Sequence, residues 1–153
     1  MSGYGDAQRI ESELDVLFAE AASCSDEIQA SLARYACVLA SAYLEASFRE
    51  IIQTCARSQA SPAISRYVES TLNMFRDPNT EKILKLLGRL GQEYRDEVEA
   101  KVVGKIKSSV DSIMANRNSI AHGRSSSISL GRVQTYYNDA RLIVSISRTA
   151  VSS

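Results

Sequence analysis

The sequence predicts an all-α fold, a single-domain antiparallel helical bundle with a long second helix. Residues 6–61 contain neither Gly nor Pro, so nothing in that stretch interrupts helical hydrogen bonding. Apolar residues recur at three- and four-residue intervals in the long segments, the period of one helical face. Breakers are scarce throughout, with seven Gly and two Pro in 153 residues.

Ile10, Leu14, Leu17 and Phe18 define a first helix over residues 6–22, and Ser23 to Ser25 supply a turn and cap. In the next segment Ile28, Leu32, Tyr35, Leu39, Ala42 and Ala46 step by four and three, predicting one inward seam that Ile52 and Cys55 extend. This second helix, residues 26–58, is about 50 Å long at 1.5 Å per residue, the spine of a bundle, with room for a kink near Ser47. Ser61-Pro62 reads as an N-cap followed by Pro in the first turn, opening a helix that ends at Phe75 ahead of Asp77-Pro78. Asn79 or Thr80 can cap residues 81–90, which Gly88 and Gly91 bring to a close, and the charged stretch 92–103 is helical. Ile106, Val110, Ile113, Met114 and Ile120 trace a helix to His122, stopped by Gly123 as a left-handed cap. A polar loop at 125–129 leads to a last helix over 130–151, with Leu130, Val133, Tyr137, Ala140 and Val144 inward.

Composition bounds the function. With 44% hydrophobic and 24% charged residues the chain can build one core, which excludes disorder and low-complexity classes. The richest apolar stretch, 35–44, is far short of the roughly 20 residues of a membrane span, and residues 1–6 carry no secretory signal pattern. A cytoplasmic location and no membrane partner are expected. Cys24, Cys37 and Cys55 lie 13 and 18 residues apart with a single His in the chain, so no zinc site is expected and the thiols read as reduced core residues. Eighteen basic and eighteen acidic side chains cancel, yet the formal charge is −6 over residues 1–100 and +6 over 101–153. The basic third can attract a polyanion, or the two parts can attract each other.

The chemistry concentrates in Arg117-Asn118-Ser119-Ile120-Ala121-His122-Gly123. Asn118 and His122, four apart, share a helical face, so the amide can orient the imidazole, and the long Arg117 side chain can swing toward it. The negative end of a helix favours a protonated imidazole, and Arg117 offers a permanently charged planar fork to phosphate oxygens.

This string closely resembles the signature of the HEPN superfamily of α-helical nucleases, in which an Arg, four to six residues and a His mark the active site. The RiboL-PSP-type branch is most similar. Three blocks match it in order: residues 35–51, including ASAYLEASFREI; 83–91, ILKLLGRLG; and 113–137, IMANRNSIAHGRSSSISLGRVQTYY. Together they span about two thirds of the chain. The resemblance implies a metal-independent endoribonuclease with no cofactor, a toxin or phage-defence effector that dimerises so that two copies of Arg117 and His122 line one cleft. By this analogy His122 is the general acid or base at the ribose 2′-hydroxyl, Arg117 binds the scissile phosphate, and Asn118 positions either group. Glu45 sits where the family often places an acid that orients the Arg; it can equally pair with Arg49 four residues on. Arg124, Arg132 and Lys107 are candidates to bind the substrate backbone, with Lys101 and Lys105 adding charge, and Tyr136 is the candidate for base stacking, since spacing sends Tyr137 to the core. The substrate class is RNA, tRNA or mRNA, and an antitoxin or other regulatory protein is a possible partner. One departure concerns members controlled by adenylylation, which carry Tyr two residues after the His; Arg124 stands there. The alternatives are an inactive HEPN-type dimeric binding or scaffold subunit, or a helical partner whose Arg and His are structural.

Overall fold

The computed structural model describes residues 5–124 and 126–152, so Ser125, at the start of the expected polar loop, and residues 1–4 lie outside the described part. Seven α-helices follow in order: α1 Asp6–Ala21, α2 Asp26–Gln59, α3 Pro62–Thr71, α4 Thr80–Leu90, α5 Gln92–Lys101, α6 Lys105–Ala121 and α7 Leu130–Ser152. No strand occurs among the described residues. The helices start where local chemistry says they should. Ser25 accepts the Ile28 N–H, Ser61 the Ile64 N–H, and Asn79 the Lys82 N–H at 2.9 Å, so Asn79 and not Thr80 caps α4. The third helix departs from expectation. Its α-helical part stops at Thr71, and Leu72–Met74 tighten into a 3₁₀ turn closed by the Phe75 N–H on the Leu72 carbonyl. Through Ser47, where the sequence leaves room for a kink, α2 continues without interruption.

Short turns join α1 to α2 and α6 to α7, and the partners in each pair pack on one another, so they run antiparallel. The spine is α2, against which α1, α6, α7 and α3 all pack. Its buried face matches the expected seam only in part: Ile52 and Cys55 are buried and Ala42 and Ala46 pack at the core's edge, but the seam's first half turns outward. Ala33, Ala36, Cys37, Ala40, Leu44, Phe48 and Ile51 point inward, whereas Ile28 and Tyr35 are 52% exposed and Leu32 and Leu39 lie at the edge. Two apolar stripes run down the first half of α2, and the stripe of small residues won because alanines let the flanking helices approach closely.

Other contacts close the bundle. Tyr137 is buried, as its spacing predicts, edge-on to Tyr43 at 5.4 Å. Arg141 on α7 reaches Glu11 on α1 at 3.5 Å. The buried Asp139 carboxylate accepts the Ser109 hydroxyl at 2.5 Å, joining α7 to α6. Cys37 and Cys55 are buried, but Cys24 is only half-buried. Burial pushes the Cys37 thiol up to about 11, leaving it protonated and inert at neutral pH.

Asp111 of α6 fixes the start of α4. Its carboxylate accepts the Thr80 N–H at 2.9 Å and the Lys107 ammonium at 2.9 Å. Burial alone would raise its pKa, but the Thr80 and Lys107 hydrogen bonds outweigh burial and hold it below the ordinary 3.8. A depressed carboxyl stabilises the fold above its unfolded pKa and loses that contribution as pH falls through the folded value. Asp111→Ala is therefore expected to lower stability by about 1–2 kcal/mol at neutral pH, with the gap from wild type closing below about pH 4. Urea denaturation of both proteins from pH 3 to 7 checks the sign; a gap that widens in acid contradicts it.

Candidate active site

Local rules build the end of α6. His122 occupies the C-cap, its N–H donating to the Asn118 carbonyl at 3.0 Å. Gly123 follows at φ 69°, the left-handed conformation that glycine adopts without Cβ strain. The Gly123 N–H then reaches the Ile120 carbonyl and the Arg124 N–H the Ser119 carbonyl, at 3.1 and 2.9 Å. These two bonds form a Schellman motif, which satisfies the last carbonyls and turns the chain sharply away. Beyond the turn, the Ser126 hydroxyl donates to the Asn116 side-chain oxygen at 3.0 Å, pinning the loop back on α6.

One step back along the helix, Arg117 points into a cavity of about 340 Å³ between α1, α2, α6 and the loop before α4. Its guanidinium pairs with Asp77 at 3.2 Å, both side chains about one-third exposed. Asp77 is the only non-glycine described at positive φ, 48°, a conformation Asp tolerates better than most residues. Glu45 holds it there. One Glu45 oxygen accepts the Asp77 N–H at 3.0 Å, and the other accepts Arg49 at 3.0 Å. Arg49 in turn donates to the Leu72 and Phe75 carbonyls at 3.2 and 2.8 Å, tying down the 3₁₀ turn. The chain of contacts Arg49, Glu45, Asp77, Arg117 thus sets a guanidinium at a fixed place in an open cavity. Asp77 engages one terminal nitrogen of the guanidinium, which is itself about one-third exposed, so its remaining N–H donors are open to an anion in the cavity.

Glu45 makes the pair with Arg49 that its four-residue spacing allows, and its other oxygen accepts the Asp77 N–H; no hydrogen bond or ion pair joins it to Arg117 among the described residues. Asp77 itself escaped the sequence reading, in which Asp77-Pro78 served only to end a helix. Asn118 and His122 are exposed on the outer side of α6 and not in the wall of the Arg117 cavity. Among the described residues no hydrogen bond joins their side chains; the Asn118 backbone carbonyl is what reaches His122. Arg124 and Arg132 are exposed beyond the turn, and Tyr136 is half-buried against the core. Lys107 lies ten residues up α6, about 15 Å from Arg117, in its ion pair with Asp111. Among the described residues no group of three His, Cys, Asp or Glu is placed to hold a metal ion, and no helix is long and apolar enough to cross a membrane.

An all-α bundle whose penultimate helix ends in this Arg-to-His segment belongs to the class of HEPN-type domains. The RiboL-PSP-HEPN family model matches residues 6–152, and the chain is a member of that family. No curated protein and no solved structure gives a significant match.

Proposed function

We propose that the chain is a metal-independent endoribonuclease that works as a homodimer, a toxin or phage-defence effector acting on RNA in the cytoplasm and restrained by a regulatory partner such as an antitoxin. The observation that carries this is the Arg117 guanidinium, held by Asp77 and Glu45 in an open cavity at the end of the helix that also presents Asn118 and His122. The phosphate next to the reacting ribose binds Arg117. His122 removes the 2′-hydroxyl proton, the 2′-oxygen attacks phosphorus as the bond to the 5′-oxygen breaks, and that oxygen leaves with a proton from water whose hydroxide returns the imidazolium to neutral, giving a 2′,3′-cyclic phosphate and a 5′-hydroxyl. Asn118 positions the imidazole or the phosphate once substrate is bound, Glu45 positions Arg117 through Asp77, and Arg124 lies two residues past His122 to meet the strand.

The exposed stripe of α2 supports the dimer. Ile28, Tyr35 and Val38, with Val16 of α1, form an apolar face, and Val38 continues into the wall of the Arg117 cavity. A second copy seated on this face sets the two cavities side by side, which allows His122 of one chain to serve a phosphate held by the other. Tyr35→Glu is expected to convert a dimer into monomers in sedimentation velocity and to lose most of the cleavage activity; an unchanged sedimentation coefficient rejects the face.

The deciding experiment is cleavage of tRNA and single-stranded RNA in EDTA with identification of the product ends. Cyclic phosphate ends made by wild type support the reading. A wild type as inert as its His122→Ala variant replaces it with the inactive binding subunit.

A further inference from the structure

On the far side of the loop that carries Asp77 lies a second groove, of about 360 Å³, between α3, the 3₁₀ turn and α4. Its floor is apolar, with Leu72, Phe75 and Leu86 prominent, and Met74 stands 86% exposed at its edge. Its polar rim is cationic: Arg76, Lys82, Lys85 and Arg89 line it, and no carboxylate does. Some cations elsewhere pair with acids, as Lys107 does with Asp111, Lys101 with Glu97 and Arg95 with Glu81, and others stand singly; this groove differs in gathering four cations on one cavity with no carboxylate in its walls. Among the described residues none of the four rim cations has an acidic partner. Lys82 instead donates to the Arg76 carbonyl at 3.3 Å, which gathers the first two at the mouth of the groove.

Arg76 also lines the Arg117 cavity, so the groove and the cavity are continuous through one residue. Lys82, Lys85 and Arg89 share one face of α4, with axial steps of about 4.5 and 6 Å. Such a row of cations beside an apolar floor suits a flexible strand that lays phosphates on the charges and bases on the floor. We propose that this groove is an RNA-strand site that carries single-stranded substrate from the Arg117 cavity over Arg76 and along α4. The inference rests on the endoribonuclease reading for the identity of the strand, and on the unpaired charges and continuity for its path.

The test uses the full chain, a fluorescein-labelled 2′-O-methyl 12-mer that resists 2′-hydroxyl attack, and a dinucleotide too short to reach α4. Lys82→Glu/Lys85→Glu/Arg89→Glu is compared with wild type and with Arg66→Glu/Arg148→Glu, a control at exposed cations that line neither the groove nor the Arg117 cavity. All three groove positions are exposed, and the corresponding Gln variant together with thermal unfolding separates lost charge from lost fold. The expected result is 12-mer binding weakened on the order of tenfold or more near 0.1 M salt, with the slope of log K against log salt reduced by about 2 for three lost phosphate contacts. Dinucleotide cleavage stays unchanged. Equal binding and slope in the groove variant and the control overturn the proposal while leaving the nuclease reading intact. So does a wild type that ignores the 12-mer but binds a labelled acidic Leu/Glu peptide through these same cations, since the groove is then a protein-docking site. Absence of dinucleotide and tRNA cleavage, with groove-dependent 12-mer binding preserved, removes the nuclease reading and keeps the strand site.

Discussion

His122→Ala is expected to lower RNA cleavage by about 10²- to 10⁴-fold, the range for losing a positioned general acid–base, with the fold unchanged. The side chain is exposed, and the cap is made by backbone groups and by Gly123, so alanine removes chemistry without removing structure. Arg117→Ala is expected to cost about 10²- to 10³-fold through loss of charge stabilisation at phosphorus. Arg117→Lys should recover only part of that, because an ammonium keeps the charge but not the planar fork. The Arg117 variants differ from His122→Ala in one further respect. Removing the guanidinium leaves Asp77 facing the phosphate without its cation, so RNA binding should weaken along with turnover, whereas His122→Ala should bind RNA nearly as wild type does. Single-turnover cleavage alongside anisotropy binding separates the two. Equal loss of binding in both variants argues against the separate roles assigned to them.

The largest stability effect is expected at Phe48. It is fully buried on α2, in the middle of the core. Phe48→Ala removes most of an aromatic side chain from a packed site and is expected to cost about 3–5 kcal/mol. Domains of this size are stable by only about 5–15 kcal/mol, so the melting temperature should fall on the order of 10 °C. A drop of only a degree or two in differential scanning calorimetry places Phe48 outside a tightly packed core. Phe48 also lies one turn from Glu45, so the same variant should reduce activity at temperatures where the fold survives.

The helix boundaries were legible because capping is a matter of a few neighbouring residues. Ser25, Ser61-Pro62, Asn79 and Gly123 act within four positions of the ends they mark, and each does in space what its type implies in sequence. The buried face of α2 was harder. Periodicity registers an apolar stripe but cannot say whether it faces the chain's own core or remains outside, and α2 carries one of each. Spacing alone favoured the bulkier stripe, and packing favoured the alanines. At the site, the Arg-to-His segment lies in one run of sequence and could be read directly. Asp77 could not, since it meets Arg117 from forty residues away through a loop whose backbone turns left-handed. The groove along α4 was equally hidden. The Lys and Arg spacing shows one helical face, but only the tertiary structure reveals that no acid answers it.

The Arg117 cavity takes its walls from both early and late parts of the chain, from Asp6 and Arg9 on α1 through Glu45 and Asp77 to Arg117 itself. During synthesis the pocket therefore lacks the Arg117 guanidinium until α6 has been made, and α7 then packs against α2 and α6. Under the endoribonuclease reading proposed above, a chain translated only through α5 lacks its Arg-to-His segment and is silent. On that reading the order of the helices withholds cleavage until α6 and α7 have both been made.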